Sequence, residues 1–335
     1  MASNNYPYEI KDVDIPETIV TRNHDEIIRI GPKGYIFPKT FRDMAADIYN
    51  MEVKPTDVYV FSYPRSGTTW TQELVWLVVN DLDYETALKI PLTDRYPFLE
   101  GPMLFNESTK KKILDRSKEN ESEAKDLQNV VKSAVELVNE MPSPRFIKTH
   151  LPLSLLPPNA LEAKMVYVAR DPRDAIVSYY HLIKSMKIAN FDGDFKQFWI
   201  AAVKNYQSWS PYFENVKEAW EKRNHPNLLF LFYEDMRKDL ESSVRRVCDF
   251  FGKKYSDDQI AKLCDHLTFD KFKNNPSVNY DLMKKIGLMH TDQEFVRKGK
   301  TGGWREYFDE EMTAEADKWI QENLRDTDLR FPSMQ

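Results

Sequence analysis

Asp57-Val58-Tyr59-Val60-Phe61-Ser62-Tyr63-Pro64-Arg65-Ser66-Gly67-Thr68-Thr69-Trp70 decides how this chain folds. Asp57 to Ser62 has the length and the β-branched, aromatic interior of a strand buried on both faces. The run stops at Pro64, and Thr71 to Asn80 then reads as a helix. In a loop that leads from strand to helix, the first helical N–H groups lack partners and the macrodipole places positive charge. Such a loop can receive an anion. Gly67 allows close backbone approach, Ser66, Thr68 and Thr69 offer hydroxyls, and Arg65 supplies a fixed cation. The plainer alternative is a helix cap of small polar residues.

Three further runs resemble the first. Phe146 to Thr149 is a short one. Lys164 to Ala169 is followed by helical spacing from about Asp174 to Ser185, and Leu228 to Tyr233 by a helix carrying Arg237 to Phe251. Strand–helix alternation predicts an α/β fold, with a central parallel sheet flanked by helices on both faces and ligands held at the carboxyl ends of the strands. No Gly/Ser- or Pro-rich linker divides the 335 residues, so the chain reads as a single domain over 1–335 with its core at about 55–305. Residues 106–141 are a charged insertion. Within it Leu127, Val130, Val131, Ala134, Val138 and Met141 recur at helical spacing. A surface helix packed on the core is the plain reading, and a lid over an apolar pocket the functional one.

Composition narrows the class. Hydrophobic residues make up 41% and charged residues 30%, which suits a globular chain with a sizeable core. The net charge of −6 argues against nucleic acid as the main partner. The longest apolar run, Leu74 to Val79, is far too short to span a membrane, and the amino-terminal stretch lacks a signal-peptide core. Cys248 and Cys264 have no metal-type spacing, so a reduced, cytoplasmic setting is expected. The loop at 63–70 also lacks the first glycine and the Gly-Lys-[Ser/Thr] ending of a Walker A motif, which disfavours a Mg-ATP kinase.

Tyr63 to Trp70 strongly resembles the 5′-phosphosulfate loop of the cytosolic sulfotransferases, usually TYPKSGTTW. Four more segments match that family in order. Lys148-Thr149-His150-Leu151-Pro152 is similar to its KTHLP segment, and Val166 to Asp174 through Ser178-Tyr179-Tyr180-His181 to its 3′-phosphate segment. Leu231-Phe232-Tyr233-Glu234-Asp235-Met236 resembles its adenine-side strand end. Arg297-Lys298-Gly299 with Gly302 and Trp304 resembles its RKGxxGDWK motif.

The resemblance implies a P-loop-like nucleotide site and an enzyme that moves a sulfuryl group from 3′-phosphoadenosine 5′-phosphosulfate (PAPS) to a small hydroxylated acceptor, leaving adenosine 3′,5′-bisphosphate (PAP), with no metal. By the same resemblance, Arg65, Ser66, Gly67, Thr68, Thr69 and Trp70 hold the 5′-phosphosulfate, with Trp70 on the adenine. Arg170, Ser178, Arg297, Lys298 and Gly299 hold the 3′-phosphate, and Tyr233 with Leu267, Thr268 and Phe269 meets the adenine. His150 is the general base, Lys148 and Arg65 are the catalytic cations, and Phe98 faces the acceptor.

Elementary chemistry agrees with much of this. Imidazole titrates near 6.5, where a base works well. Lys148 and His150 share one face if their segment is extended. A structural pairing of Arg170 with Asp174 or Glu234 is the alternative to phosphate binding. Three departures stand out: Arg65 replaces the usual lysine, Gly303 replaces the aspartate of GDWK, and Arg305, Asp309, Glu310 and Ala314 preserve little of the dimer motif KxxxTVxxxE, so a homodimer through it is doubtful. Retinol dehydratases, insect relatives with an insertion near 106–141 that act through a transient sulfate ester, are the alternative activity. A nucleotide-binding protein without catalysis is the non-enzymatic one.

Overall fold

A computed structural model describes residues 6–21, 26–119, 121–279, 281–291, 296 and 299–334. β1 (Ile10–Val13), β2 (Ile27–Ile30) and β3 (Tyr35–Pro38) form a small antiparallel sheet that the sequence reading did not anticipate. Its strands have only four residues each, too few to show a convincing alternation.

The central sheet is parallel and has the order β5-β4-β6-β7. It consists of β4 (Val58–Phe61), β5 (Phe146–Thr149), β6 (Lys164–Ala169) and β7 (Leu228–Phe232). Alternate residues of these strands enter two separate cores. Tyr59, Phe61, Ile147, Met165 and Tyr167 face one; Val58, Val60, Phe146, Val166 and Val168 face the other. Two-sided burial is why the strands read as continuous apolar runs. At the start of β4 and β5, fully buried Arg145 grips Asp57 with a two-pronged contact, 2.7 Å from Nε and 2.6 Å from Nη2.

Beside β5, Pro97 to Leu99 adds a short parallel bridge. Lys148 N donates to Pro97 O (3.0 Å) and Leu99 N to Lys148 O (3.0 Å). This pairing lays Phe98 and Glu100 alongside the end of β5.

Helix boundaries differ from expectation in three places. The helix after β4 spans Thr68–Val79, because Gly67 adopts φ +105° and lets the helix begin directly on the loop. Residues 233–250 form two helices, Tyr233–Lys238 and Leu240–Phe250, parted at Asp239, whose carboxylate caps the second at Ser242 N (3.0 Å). Residues 106–141 form three helices, Glu107–Glu119, Ala124–Val131 and Ala134–Glu140. The apolar stripe from Leu127 to Met141 is broken by extended backbone at Lys132 and Ser133. The break serves two destinations: Leu127 packs with Phe105 and Ile113, while Ala134 and Val138 join the main core.

Candidate active site

The loop after β4 is shaped by backbone that few residues tolerate. Arg65 has φ +66° and Gly67 φ +105°. A Cβ on Gly67 would stand 2.7 Å from the Tyr233 ring, so the loop and the end of β7 touch only because that position is glycine. Ser62 and Thr68 hydroxyls meet at 2.5 Å, which closes the turn from inside. Arg65 Nε donates to Ser178 Oγ (3.1 Å), and Arg170 Nη1 donates to Arg65 O (3.1 Å). Arg170 also donates to Lys300 O (3.0 Å) and lies 4.4 Å over the Tyr233 ring. Its guanidinium is therefore held by carbonyls and an aromatic face, and Asp174 and Glu234 act on it through charge without a direct hydrogen bond.

Trp70 is fixed by its indole N–H on Leu267 O (2.9 Å) and by an edge contact with Tyr233. Leu267 thus acts through its carbonyl. The Thr268 hydroxyl turns to Asp265 O (2.8 Å), whereas Phe269 reaches the cavity wall and the α-carbon of Gly299. Arg297 and Lys298 lie outside the described residues. The segment just beyond them is anchored by Asp174, whose carboxylate accepts Gly302 N (2.6 Å) and Trp304 N (2.9 Å) on either side of Gly303.

His150 lies one residue beyond β5 and is buried. Its Nδ1 is 2.8 Å from Ser62 O. A carbonyl can only accept, so Nδ1 carries the proton and Nε2 is left with the lone pair a base needs. Burial first, then the charges of Lys148 and Arg65, hold the imidazole well below its usual pKa. Lys148 and His150 both line the cavity, as an extended segment requires, while Thr149 between them turns to Glu100. Lys148 Nζ lies 4.1 Å over the Phe98 ring, and that ring meets His150 edge-on at 5.2 Å.

Arg65, Trp70, Lys148, His150 and Phe269 open onto a cavity of about 870 Å³. One end contains the loop, Arg170, Ser178 and Tyr233. The rest is bounded by Phe98, Phe105, Val130, Leu137, Trp209 and Met283, among others. The helices Ala124–Val131 and Ala134–Glu140 therefore form part of the cavity wall.

A model of the sulfotransferase domain matches residues 55–328. The chain belongs to the sulfotransferase family. Bovine sulfotransferase 1E1 is 31% identical over 295 residues, covering 88% of this chain and 92% of that protein. The luciferin sulfotransferase of Photinus pyralis is 32% identical over 308 residues, covering 90% of this chain and 80% of that protein. Solved structures of a retinol dehydratase, one with retinol and PAP and one with androsterone and inactive cofactor PAP, match at TM-score 0.90 and 46% identity. Each match covers 98% of this chain and 99% of the other.

As a sulfotransferase, the chain is an enzyme dependent on PAPS, and its own residues fit that nucleotide. Arg170 lines the cavity and its Nε is buried and unpartnered, which is costly for a polar atom unless a ligand supplies the bond. Gly67 lets the loop close against Tyr233, which keeps Arg65, Arg170 and Tyr233 at one end of the cavity. Residues without a role in the sequence reading also contribute. Glu100, Trp209 and Asn215 surround His150, with Asn215 donating to His150 O (3.0 Å). Glu100 is two residues from Phe98, which the resemblance names; Trp209 and Asn215 carry no pattern in the sequence that marks them.

Proposed function

We propose that this sulfotransferase moves the sulfuryl group of PAPS to the hydroxyl of a largely apolar alcohol of retinoid or steroid size. The observation carrying the proposal is the single cavity that joins an anion-binding loop to an aromatic chamber, with His150 and Lys148 among the residues lining it. Bound PAPS supplies the sulfuryl group and leaves as PAP. Residues Arg65 to Trp70 hold the 5′-phosphosulfate, Arg170 and Ser178 the 3′-phosphate, and Trp70, Tyr233 and Phe269 the adenine. Arg297, Lys298 and Gly299 belong to the 3′-phosphate side by resemblance. His150 Nε2 takes the acceptor hydroxyl proton as the new O–S bond forms. Arg65 and Lys148 stabilise charge on the transferring group and the departing phosphate. Arg65 does this without giving up a proton, which guanidinium does not readily do. Two free cysteines support a cytosolic setting.

Calorimetric titration with PAP, followed by Mg-ATP as competitor, tests the nucleotide. Tight PAP binding that ATP does not displace is expected. Binding of ATP with indifference to the 3′-phosphate would return the loop to the kinases. Radiolabelled PAPS with retinol or androsterone then tests the acceptor.

The 46% identity to a retinol dehydratase over nearly the whole of both chains favours a second reading. In it the sulfate ester is transient: the C–O bond breaks, sulfate leaves, and a proton lost from carbon completes an alkene. Product analysis with retinol separates the two, since transfer alone yields a stable labelled ester and elimination yields a dehydrated hydrocarbon with free sulfate.

A further inference from the structure

Glu100 is fully buried beside the end of β5, and the mechanism above does not use it. Its Oε1 accepts the His150 backbone N–H (2.6 Å) and the Trp209 indole N–H (3.0 Å). Its Oε2 accepts the Thr149 hydroxyl proton (2.7 Å), and that hydroxyl in turn accepts Leu151 N–H (3.0 Å). Donors from two distant segments thus converge on one carboxylate. A buried carboxyl is an expensive way to fill space, and burial pushes this one up to about 7 in spite of its three hydrogen bonds. An apolar side chain would fill the same volume without that cost. It could not accept three donors.

Trp209 explains what the donors gain. Its backbone sits at φ +67°, a conformation unfavourable for a bulky residue. Two bonds to β3 hold it there, Trp209 N to Ile36 O and Ile36 N to Ser210 O, each 2.8 Å. The indole then meets the His150 ring edge-on at 5.5 Å and lies parallel to Phe98 at 6.5 Å. One carboxylate therefore fixes both the backbone of the base and the aromatic wall packed on its ring.

We infer that Glu100 is a positioning residue that locks His150 and Trp209 into one unit, so that the proton-accepting nitrogen and the acceptor wall keep a fixed relation. The inference rests on the reading of His150 as the base. Catalysis of this kind is sensitive to displacements of about 1 Å, so a loosened unit loses turnover before it loses nucleotide.

The full chain is assayed by PAP release with retinol as acceptor probe, with calorimetric PAP affinity and circular dichroism alongside. Glu100→Leu leaves three donors unpaired and is expected to lower kcat about tenfold or more while PAP affinity stays within about twofold. Glu100→Gln can accept both N–H groups with its oxygen and donate to the Thr149 hydroxyl, so it should hold kcat within about threefold of wild type. A Leu variant with wild-type kcat overturns the inference, as do equal losses in the Gln and Leu variants. Should Glu100→Leu not fold, Trp209→Phe and Thr149→Val, each of which removes one donor to Glu100, decide together with their double variant. Their combined loss in kcat should fall short of the product of the single losses, and independent effects overturn the shared unit. A wild type that binds PAP yet turns over no acceptor sinks the functional reading itself, and this inference with it.

Discussion

The two halves of the cavity are built by opposite means. At the end proposed for the nucleotide, the contacts come from strand ends of one parallel sheet: Arg65 follows β4, Arg170 follows β6 and Tyr233 follows β7. They touch one another directly, through Arg170 on Arg65 O and over the Tyr233 ring. At the end proposed for the acceptor, the wall is gathered from Phe98, the helices of 106–141, Trp209 and the segment around Met283. The first half is a polar cradle whose geometry follows from sheet order. The second is an assembly of side chains from short elements, where shape can change without disturbing the sheet. A fixed donor site can thus be joined to an acceptor chamber whose wall is made of other parts of the chain.

The sharpest way to break this comparison is at the seam. His150→Ala removes the proposed proton acceptor and should reduce kcat by about 10²–10⁴-fold, the usual worth of a general base. PAP affinity should stay near wild type, because His150 is not among the residues assigned to the nucleotide. Calorimetry and PAP release measured on the same preparation check both. Parallel loss of binding would show that the seam belongs to the nucleotide half.

Arg65 tests the cradle itself. Arg65→Ala should lower kcat about tenfold to a hundredfold, since a cation aimed at developing charge is removed. Arg65→Lys keeps the charge but gives up the Nε contact to Ser178, and should retain substantial activity. A Lys variant as poor as Ala would make the guanidinium fork, and not the charge, the essential feature.

The difference between the halves also explains what could be read in the sequence. The cradle was legible because each polar cluster is contiguous and follows an apolar run, so Ser66, Gly67, Arg170 and Tyr233 announce their setting. The acceptor wall was only partly legible. The stripe from Leu127 to Met141 has one helical period, yet the backbone breaks at Lys132 and Ser133 to send its two ends to different cores. Periodicity reports that a residue is buried, not against what. Trp209 is the extreme case: its role depends on β3, Glu100 and His150, all remote in sequence. Arg297 and Lys298 lie outside the described residues, and their assignment still rests on resemblance.

A charge placed in the acceptor wall sharpens the contrast. Val130→Asp puts a carboxylate where the helix Ala124–Val131 borders the cavity. The acceptor KM should rise about tenfold through the cost of leaving that charge against an apolar ligand, with PAP affinity unchanged. Steady-state kinetics in acceptor and a PAP titration are sufficient. An equal fall in PAP affinity would mean that the halves are mechanically coupled.

The smallest effect concerns pH and separates two groups that lie side by side. His150 is held well below 6.5 by burial and by Lys148 and Arg65, so it remains a competent neutral base as pH falls through 6.5. Glu100 is pushed up to about 7 by burial and takes its proton first, when one of its three donors loses an acceptor. The kcat profile should therefore show a shallow limb near 7 and a steep one well below 6.5. The shallow limb should vanish in Glu100→Gln, leaving the steep one. The linkage to stability has opposite signs. Glu100, with its folded pKa raised, contributes stability below about 4.5 that is lost as pH rises through about 7. His150, with its folded pKa lowered, contributes stability above 6.5 that is lost as pH falls below it. Thermal melting of wild type and Glu100→Gln between pH 5 and 8 reads the difference: the variant should gain relative to wild type as pH rises through 7. A constant gap between the two melting curves would show that the Glu100 carboxyl does not titrate there, and would assign any kcat limb near 7 to another group.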